Sequence, residues 1–342
     1  MRTLINGAAL GRAAVLSMAL AAGTLGMAGK AAAQELTGAG STFINPIMQQ
    51  WIANYKQATG VGINYQSIGS GGGISGLMNH TVDFAGSDAP MNAAEMKQAG
   101  KPVIHIPVVI GAVCVAYNVP GNTGGLHMSG PVLAEIFLGN IMYWDAPEIA
   151  ALNRGVRLPH ERIFVAHRSD GSGTTFIFSD YLAKVSGDWK QRVGVGKSLH
   201  WPVGLGGKGS EGISGLIRSH PYSIGYVELA YAVENRIAYC QMQNAKGRFI
   251  IPTAQSGSLA AAGVQMPADM RVSITNTSNP EGYPITGFTW LIVYENSAKA
   301  ADLKRFLDWA ITTGQSYCAQ LQYAAVPDAV RGKLKTLIAG IK

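Results

Sequence analysis

The stretch Arg168-Ser169-Asp170-Gly171-Ser172-Gly173-Thr174-Thr175 decides how this chain is read. The β-branched and apolar run Ile163-Phe164-Val165-Ala166 leads into it and predicts a strand. Phe178, Tyr181, Leu182 and Val185 follow at i, i+3, i+4 and i+7 and predict a helix. The stretch is therefore a strand-to-helix turn, and its glycines let the backbone fold tightly and come close to a ligand. A helix start carries N–H groups that lack partners inside the helix, with about half a positive charge. An arginine just before such a turn completes an oxyanion cradle. An ordinary Gly-rich turn beside a surface arginine would look the same in isolation. Two further turns of this kind, around Thr42 and Ser70, favour the cradle.

Outward from this turn, strand and helix patterns alternate. Leu36 to Phe43 is a short strand-to-turn unit, and Ile44, Ile47, Met48, Trp51, Ile52 and Tyr55 form the apolar stripe of a helix that Thr59-Gly60 ends. Gly62 to Ile68 is the next strand. It runs into Gly69 to Gly73, with a short helix from Ile74 to Asn79. Val82 to Asp88 is a third strand that ends in a carboxylate. This order predicts an α/β fold with a mainly parallel sheet. The apolar run Val103 to Val119 predicts two successive buried strands with a crossing between domains. Helices are expected at Pro131–Leu138, Pro147–Leu152, Leu303–Gly314 and from Pro327 onward. Ser223 to Glu228 predicts a strand, and Ile285 to Tyr294 predicts the strand that returns to the first domain. Residues 254–284 predict loops and short strands.

With 342 residues, 47% of them hydrophobic and 14% charged, the chain suits two domains. Its 43 glycines exceed the roughly 24 of average usage, which in so apolar a chain means tight turns and not disorder. The net charge of +7 is not gathered into a basic run with interleaved aromatics, which argues against nucleic acid as a partner. Arg2 and Arg12, the apolar stretch Ala13–Ala28 and the small residues Ala31-Ala32-Ala33 predict a secretory signal peptide at residues 1–33. Cys114 in its apolar run reads as a small buried hydrophobe, whereas a bridge between any two of Cys114, Cys240 and Cys318 stays open.

Asp88 is the oddity, because a carboxylate repels an anion. A ligand that still carries an O–H resolves it: phosphate does near neutral pH and sulfate does not. A buried carboxylate can accept that hydrogen, and against sulfate it would be left unpaired. A strand-end cap is the plainer role for Asp88. Asp170 can orient Arg168 or simply form the turn. Gly71 to Gly76 matches G-x-G-x-x-G, but an exported protein is not expected to hold a free dinucleotide. No P-loop, G-x-S-x-G elbow or His-rich metal motif is present, and no general base stands beside Ser172 or Thr174 in the sequence.

The segments Gly38–Phe43, Ile68–Gly72, Asp83–Pro90, Arg168–Thr174, Trp201–Gly209 and Ile224–Glu228 together resemble the PstS family, the periplasmic phosphate-binding proteins of the phosphate-specific ABC transporter. The likeness runs through the mature chain in order. It implies a two-lobed type II periplasmic binding protein fold. Each lobe would be a mixed β-sheet flanked by helices, joined to the other by a two-strand hinge. Residues 34–110 and 286–342 would form lobe I and residues 111–285 lobe II. It implies phosphate binding by Thr42, the Phe43 N–H, Ser70, Asp88, Arg168, Ser172, Gly173 and Thr174, with Asp170 paired to Arg168. Inorganic phosphate would be the ligand, with no metal, no cofactor and no catalysis. A membrane-embedded ABC phosphate permease would be the partner of a monomer in the periplasm. Ser41, where relatives often carry Ala, is expected to leave the ligand residues untouched. A secreted phosphatase on the same cradle and a sulfate or molybdate binder are the alternatives.

Overall fold

Three successive strands each end in a turn that feeds a helix, and this repetition builds one edge of the main sheet. The computed structural model describes residues 35–122 and 124–342, so the leader expected at 1–33 lies outside the described residues. β1 (Leu36–Gly40) lies between β2 (Ile63–Ser67) and β3 (Phe84–Ser87), parallel to both. Beside β3 runs β12 (Thr286–Tyr294), antiparallel to it and to the next strand, β4 (Val103–Asn118). On the far side of β4 follow β8 (Ser223–Glu228), antiparallel to β4, then β6 (Phe164–Arg168) and β7 (Leu205–Gly207) in parallel. The short β9 (Ala238–Tyr239) also pairs with β4. A small second sheet joins β5 (His127–Met128), β10 (Gln241–Gln243) and β11 (Phe249–Ile250). Both arrays on either side of β4 are mixed, as expected.

The apolar run after residue 103 forms one strand of 16 residues, not two with a crossing. Val103–Ala112 pair with β12 and Val113–Asn118 with β8, so a single strand changes partner between Ala112 and Val113. It stays continuous because its irregular residues are absorbed in the ladder. Pro107 has no N–H, and beside it the register shifts: Trp290 opposes Pro107 and Thr289 opposes Val109. The Val108 carbonyl, skipped by that shift, accepts from Gln315 Nε2 at 2.9 Å. Gly111 leaves the space that the Phe43 ring fills.

Helices form at the expected places: α1 (Asn45–Thr59), α4 (Gly130–Leu138), α5 (Pro147–Leu152), α6 (Gly173–Val185), α11 (Ala300–Ile311) and α12 (Asp328–Ala339). The helix α2 (Ser70–Met78) begins four residues before Ile74, so Gly71, Gly72 and Gly73 lie inside it. Glycine disfavours helix, but here β1 and Gly171 pack against the first turn where a side chain would clash, and tertiary contact overrides propensity. The sequence pattern does not reveal α3 (Ala93–Ala99), α7 (Gly187–Arg192), α8 (Gly209–Ser219) or α9 (Leu229–Glu234). Nor does it reveal α10 (Ala254–Ala261) in the region expected to be loops and strands. There Thr253 and Ser256 form a reciprocal capping box. Ala261 and Ile274 of this region pack against Ile74, Phe288 and Trp290.

Trp51 and Tyr55 of α1 meet Phe306 of α11 in one part of the core, with the Tyr55 and Phe306 rings 5.4 Å apart. Under the Arg168 turn, Tyr226 stacks on Phe178 at 4.2 Å and on Trp201 at 5.8 Å. Cys114, Cys240 and Cys318 are buried and unpaired, and Cys114 is the small hydrophobe expected in β4.

Gly40 sits at φ +139° opposite Gly86, whose carbonyl a Cβ would overlap. Gly40→Ala is therefore expected to cost about 3 kcal/mol in denaturant unfolding. Gly187→Ala, where nothing lies within 4 Å of the new carbon, should stay within about 0.5 kcal/mol of the parent. Equal stabilities for the two variants would show that β1 and β3 are not packed this tightly.

Candidate anion-binding site

Four helix starts converge on one place. Ser41-Thr42-Phe43 leads into α1, Ser70 opens α2, Ser172-Gly173-Thr174 opens α6 and Gly209-Ser210 opens α8. The turns touch one another. Gly71 N–H donates to the Gly171 carbonyl at 2.8 Å. Gly173 abuts Ser70 and Asp88, and a Cβ there would lie 2.5 Å from Ser70 Oγ and 2.6 Å from Asp88 Oδ2. Ser210 N–H donates to Thr42 Oγ1 at 3.1 Å, and the two hydroxyls are 2.8 Å apart. Each start contributes N–H groups without intrahelical partners and the positive end of a dipole, a ready place for an anion.

Arg168, nearly fully buried, ends β6 and is fixed from two sides. Its Nε and Nη2 donate to Asp170 Oδ1 and Oδ2 at 2.7 and 2.5 Å, a bidentate fork. Its Nη1 reaches Thr174 Oγ1 at 3.4 Å, and its backbone N–H donates to the Tyr226 hydroxyl at 3.1 Å. Asp170 thus orients the guanidinium, and Oδ1 also accepts from Gly209 N–H at 3.0 Å. Burial alone would raise the Asp170 pKa, but the bonds and charge of Arg168 outweigh it and hold the carboxyl below its ordinary value. Asp170 offsets the guanidinium charge, so the amide and hydroxyl dipoles of the helix starts are the uncompensated donors of the site.

Asp88 is 1% exposed and surrounded by hydroxyls. Ser41 Oγ lies 2.7 and 2.6 Å from its two carboxylate oxygens, and Thr289 Oγ1 donates to Oδ1 at 2.7 Å. Ser70 Oγ is 3.4 Å from Oδ2 and accepts the Asp88 N–H at 3.2 Å. Burial pushes the Asp88 carboxyl up to about 6, against the lowering effect of Ser41, Thr289, Arg168 and Ser70. At neutral pH it is an acceptor set among donors.

All the residues singled out from the sequence meet here. Thr42, Ser70, Asp88, Arg168, Ser172 and Thr174 are buried, Gly173 presses on Asp88, and the Phe43 N–H donates to Ser41 Oγ at 3.1 Å. Ser172 caps α6, accepting from Thr175 N–H at 3.0 Å. One expectation is corrected: Ser41 touches the site directly through Asp88 and Phe43. Thr289, Ser210 and Tyr226 were not legible as site residues. Thr289 is one of two threonines in the otherwise apolar β12, and it stands at the register shift opposite β4. Ser210 and Tyr226 carry no local signal, since each acts on a residue far away in sequence.

The PBP superfamily domain matches residues 26–313 of this chain. A phosphate-binding protein PstS of Pasteurella multocida is 43% identical over 309 residues, covering 89% of each chain. The chain belongs to the PstS family. A second member, the phosphate-binding protein PstS of Xylella fastidiosa, is 44% identical over 299 residues, 86% of this chain and 82% of the relative. Among solved structures, the periplasmic phosphate-binding protein PfluDING bound with phosphate superposes with a TM-score of 0.73 at 21% identity, covering 89% of this chain and 93% of the other. A phosphate-binding protein from Stenotrophomonas maltophilia gives 0.68 at 16% identity, covering 89% and 93%. The fold is the two-lobed type II periplasmic binding protein fold, with β4 and β12 running through its middle.

The position of Asp88 has a cost in stability. Its carboxyl titrates near 6 in the fold against a reference value of 3.8, so folding takes up a proton between these values. The stability tied to Asp88 is complete below 3.8 and is lost as pH rises through about 6. That shift sets an upper bound of about 3 kcal/mol. Asp88→Asn is expected to stabilise the ligand-free protein by about 1–3 kcal/mol at pH 7.5 in urea unfolding, with the gain vanishing towards pH 4. A variant that is less stable at pH 7.5 would mean that Ser41 and Thr289 more than offset burial.

Proposed function

We propose that this chain binds inorganic phosphate in the cleft between two lobes and delivers it to a membrane-embedded ABC import permease. Residues 34–110 with 286–342 make lobe I and residues 111–285 make lobe II. Thr42, the Phe43 N–H, Ser70, Arg168, Ser172, Gly173 and Thr174 donate to the phosphate oxygens, and Asp88 accepts the proton that the ligand still carries. The buried carboxylate among donors is the observation that carries this reading. A fully ionised oxyanion would face Asp88 with no hydrogen to offer, leaving a buried charge unpaired and repelled. The protons on the ligand therefore decide what enters, and the cradle replaces the water that phosphate sheds.

Closure of the lobes presents the bound state to the permease. The protein acts as a monomer in the periplasm after loss of residues 1–33. It breaks no bond in its ligand and uses no cofactor. The Ser172 hydroxyl is engaged as a helix cap, a role that supports binding over nucleophilic attack.

Titration calorimetry with phosphate, arsenate, sulfate and molybdate tests this. Phosphate and arsenate should bind, with sulfate weaker by at least about a hundredfold. Asp88→Asn should narrow the phosphate-to-sulfate ratio by about tenfold or more. The wild-type ratio should narrow as well when pH falls below about 6 and a proton fills the Asp88 acceptor. Equal affinity of the wild type for sulfate and phosphate would end this reading. Release of phosphate from a phosphomonoester, abolished in Ser172→Ala, would show an enzyme instead.

A further inference from the structure

Glu228 is fully buried and has no part in the cradle described above. It ends β8 opposite Val113, where β4 exchanges β12 for β8. Its Oε2 accepts the Ala230 N–H at 2.7 Å, and its Oε1 has no hydrogen-bond partner among the described residues. The titratable and charged groups around it are Cys114 on β4, Tyr231 on α9, Tyr323 in the C-terminal segment and Asp88 beyond β3. None is a cation, and Asp88 repels a second negative charge.

The hydrogen-bond arithmetic at Tyr323 decides the state of this acid. Tyr323 Oη lies 2.6 Å from the Phe43 carbonyl and 3.3 Å from Glu228 Oε2. A phenol has one hydrogen. The short contact to a carbonyl, which cannot donate, takes it. Across the longer contact the phenol has no second hydrogen to give, and a proton on Glu228 would complete it. An ionised Glu228 would instead leave a buried anion facing a phenol lone pair.

The same arrangement touches the anion site. Tyr323 holds the Phe43 carbonyl and Tyr231 holds the Thr42 carbonyl at 2.7 Å, so two tyrosines clamp the turn that carries the Phe43 N–H. We propose that Glu228 is a positioning residue, a neutral carboxylic acid that donates to Tyr323 and thereby holds the Thr42–Phe43 turn in its ligand-binding geometry. Burial acts in the same direction, raising the Glu228 pKa well above its ordinary value. The effect on phosphate rests on the function proposed above; the protonation state does not.

Two measurements on the full chain test this. Infrared difference spectra between the wild type and Glu228→Gln should show, at neutral pH, a protonated carboxyl band that the variant lacks. A carboxylate band alone would overturn the proposal, whether or not the protein binds phosphate. Calorimetry with inorganic phosphate then reads the positioning role. Glu228→Ala and Tyr323→Phe should each lose about tenfold. Unchanged affinity in both variants would refute the positioning role. A wild type with no phosphate affinity would remove the functional reading and leave the infrared result to decide the state of Glu228.

Discussion

A negative charge without water is the constraint around which this structure is arranged. Asp88 lies inside the protein, and hydroxyls from three separate segments reach it: Ser41 before α1, Ser70 at the start of α2 and Thr289 on β12. Hydroxyl donors, unlike a lysine or arginine in direct contact, leave the carboxylate charged but not cancelled. Its capacity as an acceptor is preserved, at the expense of the fold's own stability. Arg168 shows the complementary arrangement. Its charge is largely answered by Asp170, which also fixes its direction. A strong uncancelled field would hold any anion, whereas a balanced one makes the hydrogen-bond pattern decide.

Close backbone approach makes this arrangement possible. Gly173 meets Asp88 and Gly40 faces Gly86 at separations that leave no room for a side chain, and Gly71 meets Gly171 almost as tightly. Glycine is costly in a helix, yet three occupy the first turn of α2. The strands pass on the same economy of space: the register shift at Thr289 and Trp290 accommodates Pro107 and sits next to the hydroxyl that serves Asp88.

The alternation of strand and helix and the glycine turns were legible because both are local. The spacing after Arg168, the carboxylate at the end of the third strand and the apolar run of β12 each follow from a few neighbouring residues. Long-range relations left no such trace. Ser210 serves Thr42 across 168 positions and Thr289 serves Asp88 across 201. Local propensity also misled in two places. The glycines of α2 imitate a loop, because their reason for being glycine lies in Gly171 and β1. The length of β4 imitates two strands, because a proline and a glycine that usually break a strand are accommodated by a bulge and by the Phe43 ring.

The position of β12 in the sheet has a consequence for how the molecule comes into being. Residues 286–294 lie between β3 and β4, which are close neighbours in sequence. A chain that emerges amino-terminus first therefore cannot zip up its opening half from the segments it already has. β3 keeps an unsatisfied border until most of the polypeptide has appeared, and a strand in the last-made fifth of the sequence acts as the keystone. Completion of the main sheet is deferred towards the end of synthesis.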